Sequence, residues 1–145
     1  MFVTGATQTR VTLAAMTSEA KAPTLAAAAS AVMAEPDPAR KTGAALTLAH
    51  DRRTGGLAGI GLPVPVARPK RPARPELRPP REMPRRRNLQ TVKARVALLH
   101  ALAHIEFNAI DLACDMIARF ADFALPPAYY DDWCTVAGDE ARHFR

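Results

Sequence analysis

The chain has 145 residues, the length of one domain, with 48% hydrophobic but only 6% aromatic residues and thirteen prolines. Twenty Lys and Arg against fourteen Asp and Glu give a net charge of +6. Positions 63–87 alone hold nine basic residues, two acidic residues and eight prolines, so no core element forms there. Roughly two-thirds of the chain is left to fold, which excludes a large α/β enzyme.

The two cysteines, Cys114 and Cys134, lack CxxC spacing and do not suggest a disulfide scaffold, so a reducing cytoplasm is the natural setting. No uninterrupted apolar run approaches the roughly eighteen residues of a membrane span, and no membrane partner is expected. Thr24–Ala34 imitates the apolar part of a signal peptide, but it follows Arg10, Glu19 and Lys21 and too long a leader.

In chain order, residues 1–23 show no period and read as a disordered leader. Residues 24–62 read as short N-terminal helices that form local scaffold. One is alanine-rich, runs over Thr24–Ala34 and is stopped by Pro36. The other starts with Asp37 as N-cap and Pro38 at the first helical position, continues toward Arg53 and ends at Gly55 and Gly56. Residues 63–87 must be extended, because each proline removes a donor and drives its predecessor out of the helical region. This Pro/Arg-rich strap is expected to lie, solvated, across a helical domain. Its charge, densest at Arg85, Arg86 and Arg87, also permits RNA contact, though no aromatic residue is interleaved to stack on a base.

Residues 88–145 read as a helical hairpin. Asn88 can cap a long helix over Leu89–Phe123, since no proline or glycine intervenes before Pro126. A second helix starts near Pro127 or Ala128 and continues to Arg145. Gly138 inside it costs about 1 kcal/mol against alanine and suggests close packing.

The chemistry concentrates on this hairpin. At ~100° per residue, Val92, Arg95, Leu99, Leu102, Ala103, Ala109, Ile110, Ala113, Ile117 and Phe120 lie within roughly 60° of Glu106. Glu106 is thus a carboxylate in the middle of an apolar stripe, where it requires a partner. Glu140 and His143, three apart, share a face with Tyr129, Trp133, Val136, Ala137 and Phe144. The thirty-four residues from Glu106 to Glu140 fit a long helix, a turn and part of a return helix, which sets both at similar height. Two carboxylates and an imidazole across a hairpin form half of a dinuclear carboxylate site, whose full plan takes a Glu from each of two helices and a Glu-x-x-His from each of two others. Oxygen and imidazole donors suit iron or manganese.

His100 and His104 fall on the opposite, polar face with Asn108, Asp111 and Asp115, and are expected to hydrogen-bond or pack rather than ligate a metal. His50 has no evident partner. The cysteines read as small core residues, and Asp131, Asp132 and Asp139 as solvated, the first two favoured by the helix dipole.

The stretches ARPELRPPREMPRR, LLHALAHIEFNAIDLACDMIARF and LPPAYYDDWCTVAGDEARHF closely resemble the bacterial ferritin-like proteins grouped as domain of unknown function 455. The resemblance runs from about Ala26 to Arg145 and is dense from Arg71 onward. It implies an all-α fold, the first two helices of a ferritin-like four-helix bundle preceded by short helices and the strap. It also implies a two-metal site of iron or manganese with Glu106, Glu140 and His143 as ligands. Such a centre suits an oxidoreductase that hydroxylates, desaturates or oxidises Fe(II), and one ferritin-like hydroxylase acts on a modified tRNA adenosine. The family pattern has two further helices, so this chain is expected to be a truncated half. Three outcomes stay open: completion by a partner half, completion by homodimerisation of two half-bundles, or an inactive fragment that binds no metal. The fifty-seven residues from Leu89 to Arg145 cannot bury both apolar stripes alone.

Overall fold

The computed structural model describes residues 21–76, 79–82 and 90–145. The expected leader therefore lies almost wholly outside the described residues, as do Asn88, Leu89 and the triplet Arg85, Arg86 and Arg87. Among the described residues the chain is all-helical: α1 (Leu25–Ala34), α2 (Pro38–Thr54), a 3-10 turn (Pro80–Glu82), α3 (Val92–Arg119) and α4 (Pro127–Phe144).

Local chemistry sets the helix ends. Thr24 caps α1 by accepting from the Ala27 amide, and Asp37 caps α2 by accepting from Arg40 at 2.9 Å. Pro38 occupies the first turn of α2, and Gly55, at φ +78°, ends it in the left-handed conformation. The free amides of Leu25 and Ala26 donate to the Gly59 and Ile60 carbonyls at 2.9 and 3.0 Å. Gly61 closes that loop at φ +86°, where a Cβ would fall 2.5 Å from the Thr24 hydroxyl.

α3 differs from its expected span. It begins at Val92 with Thr91 as its cap, and it ends four residues early, at Arg119. The Phe120 carbonyl accepts from the Tyr130 hydroxyl at 2.9 Å and from the Phe123 amide at 3.2 Å, and Ala124 turns the chain at φ +50°. A left-handed alanine costs about 1–2 kcal/mol. The Tyr130 bond and a second one, from Tyr129 to the Met116 carbonyl, hold the turn against it.

α1 and α2 are more than local scaffold. α3 packs along α4, α2 along α4 and α1 along α3, so the helices neighbour one another in the order α1–α2–α4–α3. Leu25, Val32 and Met33 of α1 and Leu48 of α2 enter one core with Ile110, Ile117, Tyr130 and the two cysteines. Small residues let the axes approach. Gly138 is buried, and a Cβ there would lie 2.9 Å from that of Ala49 on α2, in keeping with the close packing expected of it.

The stripe around Glu106 is only half covered. Ile110, Ala113 and Ile117 are fully buried, whereas Val92, Leu99 and Leu102 are 68%, 65% and 44% exposed. The reason is length. Ten residues of α1 span about 15 Å, while the twenty-eight of α3 run about 42 Å, so the first half of α3 extends beyond its cover.

Residues 63–76 of the strap lie across the helices, with the Val64 amide donating to the Ala118 carbonyl at 3.0 Å and the Lys70 amide to that of Met33 at 2.9 Å. One expectation is corrected: α3 is long and apolar enough, by length and composition, to cross a membrane. Its charged residues are spaced widely enough that the helix is apolar on average although no uninterrupted apolar run reaches that length. Asp111 in its middle is nevertheless ion-paired to α2 and to the strap, an arrangement of a packed interior rather than of a lipid-facing helix.

Candidate metal centre

Glu106 stands thirteen residues before the end of α3, and Glu140 thirteen residues after the start of α4. Equal arms of the hairpin therefore bring the two to the same height, about 20 Å from the turn. His143, one turn beyond Glu140, completes the group. Its Nδ1 lies 3.2 Å from Glu140 Oε2 and 3.7 Å from Glu106 Oε2, and one donor atom from each of the three falls within 4.8 Å of the others. The side chains are 26%, 22% and 60% exposed for Glu106, Glu140 and His143, so an ion reaches them without the helices separating.

The electrostatics are those of a crowded acidic pair. Glu140, hydrogen-bonded to Glu106, holds the Glu106 carboxyl above the usual carboxylate range. Partial burial adds to the effect and His143 opposes it. The donor set fits a hard or borderline divalent ion such as iron or manganese. Ligands about 2.1 Å from one ion are at most about 4.2 Å apart, so adjustment of side-chain rotamers is enough to gather the three.

The other face of α3 holds a second constellation that sequence reasoning missed. Asp111, expected only as one of the residues on the polar face, is buried. It accepts from Lys41 Nζ at 2.6 Å and from Arg71 of the strap. Lys41, fully buried, also donates to the Lys70 and Met33 carbonyls at 3.1 and 3.4 Å. Burial pulls its ammonium below the ordinary lysine range, and Asp111 opposes that. Arg71 reaches Asn108 as well, and both cations lie over the Phe107 ring, 5.0 and 5.1 Å from its centre. The one hint in the sequence was a run of polar residues on a helix whose other faces are apolar.

The remaining candidates fall largely as expected. Neither His100 nor His104 joins the carboxylate group, and His104 Nδ1 pairs with the Asn108 amide nitrogen at 3.0 Å. His50 is exposed on α2. Cys114 and Cys134 are buried free thiols, Cys134 pushed up to about 12 by burial and Cys114 higher still. Asp131 is exposed and Asp139 half-buried, and they pair with Arg52 and Arg142, respectively.

The family model described as protein of unknown function (DUF455) matches residues 34–145. The chain belongs to this family. The match takes in α2, the strap and the hairpin, with Glu106, Glu140, His143 and the Lys41–Asp111–Arg71 group all inside it. An uncharacterized protein of Haemophilus influenzae is 41% identical over 78 residues, which cover 50% of this chain and 27% of that protein. This DUF455 chain thus spans about a quarter of that relative's length. No solved structure matches it.

Proposed function

We propose that this DUF455 chain carries half of a ferritin-like, non-haem two-metal centre of iron or manganese, in a protein of oxidoreductase type. The observation that supports this reading is the convergence of Glu106, Glu140 and His143 from two helices within 4.8 Å. Three protein donors leave the shell of two ions incomplete. Beside them the first half of α3 exposes Val92, Val96, Leu99, Leu102 and Ile105. A bare apolar face flanking half a ligand set is what a second helical pair would cover, whether from a second copy or from the remainder of a longer relative. Buried reduced thiols agree with a cytoplasmic setting.

Bound at this place, a metal pair would supply redox chemistry with dioxygen, for hydroxylation or desaturation with an external two-electron donor or for oxidation of ferrous ion. The chain's own part is to present the Glu106 and Glu140 carboxylates and the His143 imidazole from fixed helices. Fe(II)-loaded protein is therefore expected to consume dioxygen faster than the same iron in buffer, and Glu106→Ala to lose that excess. An oxygen-electrode trace identical for protein, variant and buffer would overturn the reading.

A further inference from the structure

On the side of α3 that carries His100 and His104, the start of α2, the strap, α3 and the end of α4 enclose a cleft of about 160 Å³ that opens to solvent. Its walls are almost wholly apolar and include Pro72 and Pro75 of the strap, Ala103 and Phe107 of α3, and Phe144 of α4. None of Glu106, Glu140 and His143 lines the cleft, but three of its walls are their neighbours along the helices: Phe107 follows Glu106, Phe144 follows His143, and Ala103 lies about one helical turn before Glu106. We propose that this cleft binds a small apolar group, about the size of a benzene ring, and holds it beside Glu106, Glu140 and His143 as the apolar end of the substrate. The second half of this proposal rests on the two-metal reading; the first half does not.

The cleft is built rather than incidental. Phe107 is fixed on one side by the Phe144 ring, 5.1 Å away between centres, and on another by Lys41 and Arg71. Arg71, anchored on Asp111 and Asn108, sets the strap so that the next residue, Pro72, forms a wall. Pro72 and Pro75 have no N–H, so the backbone there carries fewer groups that need water. A cavity near 150 Å³ accommodates benzene, which sets the size of the occupant. Ligand sites that enclose a whole drug-sized molecule start at about 300 Å³, so here one end group enters and the rest of a larger molecule stays outside. His100, His104 and Arg71 also line the cleft, polar residues on a mostly apolar wall that would orient an entering group.

The probe is fluorobenzene, followed by fluorine NMR on the whole chain. Metal-free protein is expected to bind it saturably, and Ala103→Leu, which fills the cleft, to weaken binding at least tenfold with the helical circular dichroism unchanged. Ala103→Val serves where the leucine lowers the melting temperature. Equal binding by the wild type and a folded filling variant, or no saturable binding by the wild type, overturns the site. In protein loaded with Mn(II), the bound probe is expected to relax faster, and Glu140→Ala to abolish that enhancement. Metal retained without enhancement overturns the placement beside the centre. Failure to retain Mn(II) counts against the two-metal reading and the substrate role, while loss of fluorobenzene binding in the filling variant still supports the cleft.

Discussion

Asp111→Ala is expected to destabilise the chain by about 3–5 kcal/mol, the range for removing one partner of a buried ion pair. Lys41 is fully buried, and its remaining acceptors are two carbonyls at 3.1 and 3.4 Å. Without the carboxylate its charge is uncompensated, and Arg71 loses the group that ties the strap to α3. The penalty belongs to the orphaned charge rather than to the pair itself, so removing both charges costs less. Lys41→Met combined with Asp111→Asn, which leaves Arg71 a neutral acceptor, is expected to recover most of the loss. Urea unfolding of the two variants measures both values. A loss within about 0.5 kcal/mol for Asp111→Ala, the size of an ordinary surface change, would show that the pair is not desolvated.

The second large effect is on metal retention. Glu140→Ala removes the carboxylate that lies close to both Glu106 and His143. The other two donors then approach only each other, 3.7 Å apart. Even partners that merely orient a ligand are worth about 10–100-fold in metal affinity, so loss of a ligand is expected to exceed 100-fold. Competition with a coloured chelator reads this directly. An affinity within threefold of the wild type would remove Glu140 from the site.

What was legible in the sequence was local or periodic. Asp37, Pro38, Gly55 and Pro127 mark helix ends through chemistry confined to a few residues. The meeting of Glu106, Glu140 and His143 followed from helical period and from two equal arms of a hairpin, both of which can be counted along the chain. Lys41 could not be found this way. Its partner lies seventy positions on and its third neighbour in the strap, so only packing brings the group together. A helical wheel gives the faces of α3 but not what covers each. The face bearing Asp111 is sealed by α2 and the strap, while the apolar face before Glu106 is left open because α1 is short. The same limit hid the cleft, whose walls come from four separate segments.

The most direct test of the metal centre is elemental analysis of the chain after anaerobic Fe(II) loading and desalting, with the size of the species measured on the same sample. The account predicts about one iron per chain in a species no smaller than a dimer, because two half-sites of three ligands make one two-metal site. Wild-type protein that retains no more iron than Glu140→Ala would contradict it.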